Sequence, residues 1–167
     1  MAIILITGGA RSGKSTRAEA RVRAFAGQPV YIATAEALDA EMRERIAKHR
    51  ARRGSEWLER ETPLELVAAL LETDGGGPRL VDCLTLWLSN LMHVERDWEK
   101  EAKLLVDALG RQKSPVVLVT NEVGLGIVPD NALARRFRDA AGILNQTVAH
   151  AADEVEFVVA GLPMRVK

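Results

Sequence analysis

Charge of one sign is what this 167-residue chain most lacks, because Lys plus Arg and Asp plus Glu both number 23. No whole-molecule field therefore draws it toward nucleic acid or an anionic membrane, and any charge argument has to be local. Cysteine is scarcer still. Cys83 stands alone, cannot form an intramolecular disulfide, and suits a reducing compartment as a small buried residue. Long hydrophobic runs are missing too: nothing nears the roughly 18 consecutive apolar residues that a membrane span needs. The opening Met1-Ala2-Ile3-Ile4-Leu5-Ile6 has no basic leader and runs straight into glycines, so it reads as a strand. The expectation is a cytoplasmic protein without membrane insertion. A hydrophobic fraction of 47% is enough for residues 1–167 to form one domain around one core.

The apolar runs Ile3 to Ile6, Val30 to Ala33, Leu80-Val81, Val116 to Val119 and Val155 to Ala160 are short and β-branched, and mostly do not alternate. Strands buried on both faces read this way. Helical spacing fills Ser15 to Phe25, Asp39 to Arg52, Pro63 to Glu72 and Asn131 to Ala152. Alternation of the two predicts an α/β fold with a mostly parallel sheet and helices on both faces. Asp74-Gly75-Gly76-Gly77-Pro78 reads as a connecting turn. The segment Leu84 to Met92 is apolar on nearly every side, which predicts a helix buried in the core or covered by another subunit.

Gly8-Gly9-Ala10-Arg11-Ser12-Gly13-Lys14-Ser15 matches G-x-x-x-x-G-K-[ST] directly after the first strand and before a helical segment. Glycines let the backbone curl until its N–H groups converge on phosphate oxygens, and the helix adds its positive N-terminus. Lys14 should reach the β and γ phosphates of a nucleoside triphosphate, and the Ser15 hydroxyl should join the shell of a magnesium ion. The bland reading is a glycine-rich turn with an exposed lysine. Arg11 fits a phosphate contact and a solvated side chain equally. Asp82 closes the strand Leu80-Val81, where a carboxylate could hold magnesium or orient an acceptor hydroxyl. Alternatively it caps the next helix. Thr120-Asn121-Glu122 ends another strand on the same expected edge, as a phosphate or substrate sensor or as a polar turn.

Leu38, Met42, Ile46 and His49 fall three or four residues apart and share one helix face. Arg43, Arg45, Lys48, Arg50, Arg52 and Arg53 surround that histidine. A neutral imidazole is a competent nucleophile toward phosphorus, and neighbouring cations lower its pKa while gathering triphosphate oxygens. The competing reading is a partly buried histidine beside an ordinary solvated basic face. A nucleic-acid patch lacks the interleaved aromatic residues it would need. Glu61 could accept both donors of guanine's base-pairing edge, or it could be a surface glutamate opening the next helix. His93 and His150 have no partner at metal spacing.

Taken in order, these residues resemble the bifunctional adenosylcobinamide kinase / adenosylcobinamide-phosphate guanylyltransferase family of cobalamin biosynthesis. The likeness runs through Ile6 to Ser15, Tyr31-Ile32-Ala33-Thr34-Ala35, Met42 to Arg50 and Val81-Asp82-Cys83-Leu84-Thr85-Leu86-Trp87-Leu88-Ser89-Asn90-Leu91. It continues through Thr120-Asn121-Glu122-Val123-Gly124-Leu125-Gly126-Ile127-Val128-Pro129, Leu144-Asn145-Gln146 and Gly161-Leu162-Pro163. The resemblance implies a P-loop, RecA-like fold and two reactions. The γ-phosphate of ATP or GTP goes to adenosylcobinamide; GMP from GTP then joins adenosylcobinamide phosphate to give adenosylcobinamide-GDP. It also implies that His49 is the guanylylated residue, and that Gly8 to Ser15, Ala33, Thr34, Ala35, Arg50, Ala51, Arg52, Arg53, Glu61 and Asp82 line the nucleotide site. Members of the family are commonly trimers. Two rivals are a nucleotide-operated switch or ATPase and a simple small-molecule kinase; neither would form a covalent GMP adduct.

Overall fold

Seven strands form one sheet in the computed structural model, which describes residues 2–36, 44, 47 and 53–167. In chain order they are β1 (Ile3–Gly8), β2 (Val30–Ala33), β3 (Leu58–Glu61), β4 (Arg79–Asp82), β5 (Val116–Val119), β6 (Glu154–Val159) and β7 (Leu162–Arg165). The helices are α1 (Lys14–Arg23), α2 (Leu66–Glu72), α3 (Leu84–His93), α4 (Trp98–Leu109) and α5 (Ala132–Ala151). The order across the sheet is β3-β2-β4-β5-β1-β6-β7, and every neighbouring pair is parallel except β6 with β7. The expected α/β architecture is therefore present. Apart from Glu44 and Ala47, the helix expected between Asp39 and Arg52 lies outside the described residues.

Alternation along the central strands divides the core in two. Ile3 and Leu5 point into a cluster with Val30 and Ile32 of β2 and with Leu70, Trp87, Leu105 and Leu144, contributed by α2 to α5. Ile4 and Ile6 point the other way, toward Ala18 and Val22 of α1, with Tyr31, Trp57 and Leu80. Period-2 geometry makes both sets apolar, which is why β1 reads as an unbroken hydrophobic run. Of the two alternatives for α3, the first holds: Leu84, Trp87, Leu88 and Leu91 are fully buried in the chain's own core, and Trp87 Nε1 donates to the Leu64 carbonyl at 2.8 Å. Its apolar character thus needs no second subunit.

Three elements escape the sequence patterns. All four residues of β3 are exposed, and so are all four of β7, so neither edge strand carries an apolar run. Helix α4 is amphipathic, burying Ala102, Leu105, Ala108 and Leu109, with an Asp97 side chain that caps the Lys100 N–H at 3.0 Å. Glu61 closes β3, which corrects the reading of it as the start of a helix.

At the amino ends of β4 and β5 a buried guanidinium fastens the turn that sequence placed at 74–78. Arg79 is fully buried; it donates to Asp74 Oδ1 at 2.7 Å, Gln112 Oε1 at 2.6 Å and the Ser114 carbonyl at 3.0 Å. Asp74 also accepts from the N–H groups of Lys113 and Ser114. Burial pushes this carboxyl upward, but the Arg79 bond and the two amides outweigh it and hold the pKa at about 2. A carboxylate held below its unfolded value stabilises the fold above about pH 4, and that contribution is lost as the pH falls toward 2. Asp74→Asn should leave Arg79 buried without a counter-charge, costing about 3 kcal/mol at pH 7. It should also flatten the fall in stability between about pH 4 and pH 2. Urea unfolding at a series of pH values measures both, and equal midpoints for the two proteins at pH 7 would contradict the assignment.

Candidate active site

Parallel pairing brings the carboxyl ends of the strands to one edge, and the register aligns them. One row crosses the sheet from Glu61 through Ala33, Asp82, Val119 and Ile6 to Glu156. In open α/β sheets, ligands bind just beyond this edge. The loop 8–13 leaves the row at β1, between β5 and β6.

Its shape depends on missing side chains. A Cβ on Gly8 would come within 2.5 Å of the Val158 carbonyl and 2.7 Å of Ser12 Oγ, so the loop could not close against β6. Gly13 has φ +96°, and a Cβ there would stand 3.0 Å from Gly161 Cα, where the β6–β7 turn presses in. The Gly161 N–H donates to the Ser12 carbonyl at 2.8 Å. Arg11, exposed, adopts φ 55° to complete the curl. Gly13 caps α1 without any side-chain bond, so the first-turn N–H groups point out of the helix toward the loop's concavity. Lys14 is buried, and its Nζ lies back across the loop, donating to the Gly9 carbonyl at 2.8 Å. The turn-with-exposed-lysine reading therefore fails.

Helix α1 is braced from below. Arg17 gives two bonds of 2.7 Å to the Glu156 carboxylate, and Arg21 spans Glu156 at 2.7 Å and Glu154 at 2.9 Å. The Arg17 bond leads the forces that hold the Glu156 carboxyl below its ordinary range. Glu156 belongs to the sheet row, so the salt bridges fix the helix against the strand beside β1.

Asp82 does not cap α3. Cys83 occupies the cap position, the Asp82–Cys83 peptide is cis, and Asp82 Oδ2 instead accepts from Tyr31 Oη at 2.8 Å. Burial, then the nearby Asp82 charge, push the Tyr31 phenol far above its usual range, so it stays protonated and donates. Thr34, fully buried, accepts from the Cys83 N–H and donates to the Cys83 carbonyl, both at 2.8 Å, which fixes the exit of β4. Asn90 of α3 donates to the Thr34 carbonyl at 2.8 Å. Burial drives the Cys83 thiol up to about 11, so it is an inert packing group.

Arg53 departs from the expected solvated basic face. It is buried; its guanidinium stacks 3.4 Å from the Tyr31 ring centroid and donates to Glu59 Oε1 at 2.7 Å. Its Nε and Nη1 have no hydrogen-bond partner among the described residues. Arg53 and Asp82 thus meet on one tyrosine, the first over its ring and the second at its hydroxyl. Ala33, Ala35 and Glu61 stand at the same edge, whereas His49, Arg50, Ala51 and Arg52 lie outside the described residues.

The described residues hold no group of three His, Cys, Asp or Glu side chains that could cage a metal. What the site does offer is the Ser15 hydroxyl on α1 and Asp82 at the end of β4. These are hard oxygen donors of the kind that suits magnesium, which commonly keeps one or two protein ligands and takes the rest from phosphates and water. Sequence reasoning missed the bracing residues Arg17, Glu156 and Glu59, because none belongs to a local motif. Tyr31 and Asn90 entered only through the family resemblance.

Among solved structures, the flagellar accessory protein FlaH from Methanocaldococcus jannaschii aligns over 99% of this chain and 78% of its own, with TM-score 0.54 and 13% identity. The P4 protein of bacteriophage phi6, solved with ADP, aligns over 98% of this chain and 54% of its own, with TM-score 0.54 and 15% identity. These likenesses concern the fold alone, and the fold is that of P-loop nucleotide-binding proteins. No described helix is long and apolar enough to cross a membrane. Sequence relatives speak to more than fold. The bifunctional adenosylcobalamin biosynthesis protein CobP of Pseudomonas aeruginosa is 52% identical, over 98% of this chain and 96% of its own length. The bifunctional adenosylcobalamin biosynthesis protein CobU of Salmonella typhimurium is 43% identical over 99% of both. With residues 4–166 matching its description as well, this chain belongs to the cobinamide kinase / cobinamide phosphate guanyltransferase family.

Proposed function

We propose that the chain is a cytoplasmic, single-domain, bifunctional enzyme that phosphorylates adenosylcobinamide with ATP or GTP and then joins GMP to the product. The reading rests on one observation above the others. A glycine-built cradle with a buried Lys14 stands at the carboxyl edge of the sheet, in a chain matched to this family over residues 4–166.

In the kinase step the hydroxyl oxygen of the aminopropanol arm attacks the γ-phosphorus. The bond from that phosphorus to the β-bridging oxygen breaks, the nucleoside diphosphate leaves, and the hydroxyl proton passes to solvent. Main-chain N–H groups from Gly8 to Gly13 hold the β and γ oxygens, and Lys14 exchanges the Gly9 carbonyl for them. Ser15 and Asp82 would hold magnesium, which neutralises charge on the phosphates when bound. Tyr31 keeps the Asp82 carboxylate oriented. Arg53 would give the triphosphate the two nitrogens that have no partner among the described residues, and Arg50, Ala51 and Arg52 belong to the same proposed nucleotide site; Thr34 and Ala35 would shape the wall, and Glu61 would read guanine.

For guanylyl transfer, a neutral His49 nitrogen attacks the α-phosphorus of GTP, the bond to the α,β-bridging oxygen breaks, and pyrophosphate departs. The imidazole loses its other N–H proton as the adduct forms. A phosphate oxygen of adenosylcobinamide phosphate then attacks the same phosphorus, the P–N bond breaks, and the ring regains a proton. A homo-oligomer, trimeric as in the family resemblance, belongs to the same proposal. Its support is the exposed apolar set Leu162, Met164 and Val166, alternating along β7 and just beyond it.

With magnesium and GTP labelled at the α-phosphate, the protein should acquire an acid-labile label that is absent from His49→Ala. Label retained by that variant rejects the nucleophile, and no label on the unsubstituted protein favours a plain kinase or a switch. Lys14→Ala should lower kcat/KM for cobinamide phosphorylation by about 10²- to 10³-fold, since the transferring phosphoryl group loses its main cation. Steady-state kinetics test this, with thermal melting to establish that the variant is folded; undiminished turnover would remove Lys14 from the site.

A further inference from the structure

Between β5 and α5 runs a segment whose apolar side chains are turned outward although its backbone is pinned at both ends. At the near end the Glu122 N–H donates to the Gly8 carbonyl at 3.0 Å, tying the segment to the phosphate cradle. A buried polar clamp secures the same end. Thr120 Oγ1 donates to Asn145 Oδ1 at 2.7 Å, Asn145 Nδ2 donates to the Asn121 carbonyl at 3.2 Å, and the Asn121 N–H donates to Thr85 Oγ1 at 2.7 Å. At the far end Arg135 Nη1 donates to the carbonyls of Pro129 at 2.9 Å and Asp130 at 2.7 Å, while Asn131 caps α5.

So anchored, the segment leaves Leu125 81%, Ile127 97%, Val128 61% and Leu133 61% exposed. No side chain between Glu122 and Asp130 is charged. The N–H groups of Leu125, Gly126, Ile127 and Val128 donate to no group among the described residues. Uncovered apolar side chains gathered on one short anchored segment usually mark a binding face.

We propose that residues 123–128, with Leu133, seat the corrin macrocycle of the acceptor. This rests on the kinase and guanylyltransferase reading above. The acceptor must approach the triphosphate from outside the cradle, and this segment starts one hydrogen bond from the cradle, at Gly8. The acceptor's chemistry fits as well. A corrin is a broad ring with apolar faces and a rim of neutral amides, so it calls for uncovered aliphatic side chains, free main-chain donors and no competing charge. The cationic side chains that suit a triphosphate stand on the other elements of the site, at Lys14 and Arg53.

The test is the double variant Leu125→Ser, Ile127→Ser, whose exposed positions leave the core untouched. Cobinamide binding followed by equilibrium dialysis, and KM for cobinamide in the kinase assay, should each weaken roughly 10- to 100-fold. KM for the nucleotide, the yield of α-labelled adduct from GTP alone and the sedimentation mass should stay as in the unsubstituted enzyme. Unchanged cobinamide binding and KM would overturn the proposal. So would a drop in sedimentation mass accompanying the loss, because the segment would then be a contact between copies of the chain. If the unsubstituted enzyme takes up no label, the guanylyltransferase reading fails instead, and dialysis against cobinamide still decides whether the segment binds the ring.

Discussion

The contact on which the site depends is one that a side chain would forbid, the approach of Gly8 to the Val158 carbonyl at the end of β6. A Cβ at 2.5 Å from that oxygen would force β1 and β6 apart at the level where the phosphate loop begins. Because they stay together, the β6–β7 turn reaches the loop from one side through Gly161 and Ser12, and Glu122 reaches it from the other through the Gly8 carbonyl. The loop is thereby held by main-chain bonds to two connections far apart in sequence, the segment after β5 and the turn after β6. Its N–H groups are aimed before any ligand arrives, and little ordering remains to oppose binding.

Polar groups brace the sheet in separate places, with different consequences. At the amino end both terminal nitrogens of Arg79 are bonded, to a carboxylate, an amide and main-chain carbonyls, and that cluster serves the fold. Along β6, Glu154 and Glu156 take bonds from Arg17 and Arg21 and lock α1 to the strand, so the helix bearing Lys14 and Ser15 cannot slide against the sheet. Arg53 is different in kind. It is buried over an aromatic ring with one carboxylate partner and two nitrogens that have no hydrogen-bond partner among the described residues, an arrangement that fits ligand binding better than stability.

How much was legible in the sequence follows from where each signal resides. The five central strands announced themselves because burial on both faces makes them continuous apolar runs. Both edge strands were silent, since Leu58-Glu59-Arg60-Glu61 and Leu162-Pro163-Met164-Arg165 face solvent and lack that pattern. The phosphate loop was plain because its chemistry needs glycine, lysine and serine at fixed local spacing. Tyr31 and Glu156 were not, because their roles come from partners 51 and 139 positions away in the chain. Asp82 fell between these cases. Its place at a strand end was readable, but that it does not cap α3 could be seen only from the cap falling to Cys83 and from its bond with Tyr31.

On the proposed reading, a single triphosphate grip must serve attack at two different phosphorus atoms, and the grip itself does not choose between them. The main-chain donors of the loop are fixed by Gly8 and Gly13, and they hold the β and γ oxygens in the same way for either reaction. Selection has to come from what is brought up to the nucleotide. A hydroxyl seated near the γ-phosphorus gives phosphoryl transfer, whereas an imidazole near the α-phosphorus gives nucleotidyl transfer. The two partners therefore belong on separate segments that leave the sheet edge, one following β2 and the other following β5. The strand order β2-β4-β5-β1 meets that requirement by placing both departures on the same side of β1 in the sheet, at two and four strand positions along the row the site shares. An acceptor platform at the end of β5 leaves the space beyond β2 and β4 to the nucleoside, and the phosphates run between them.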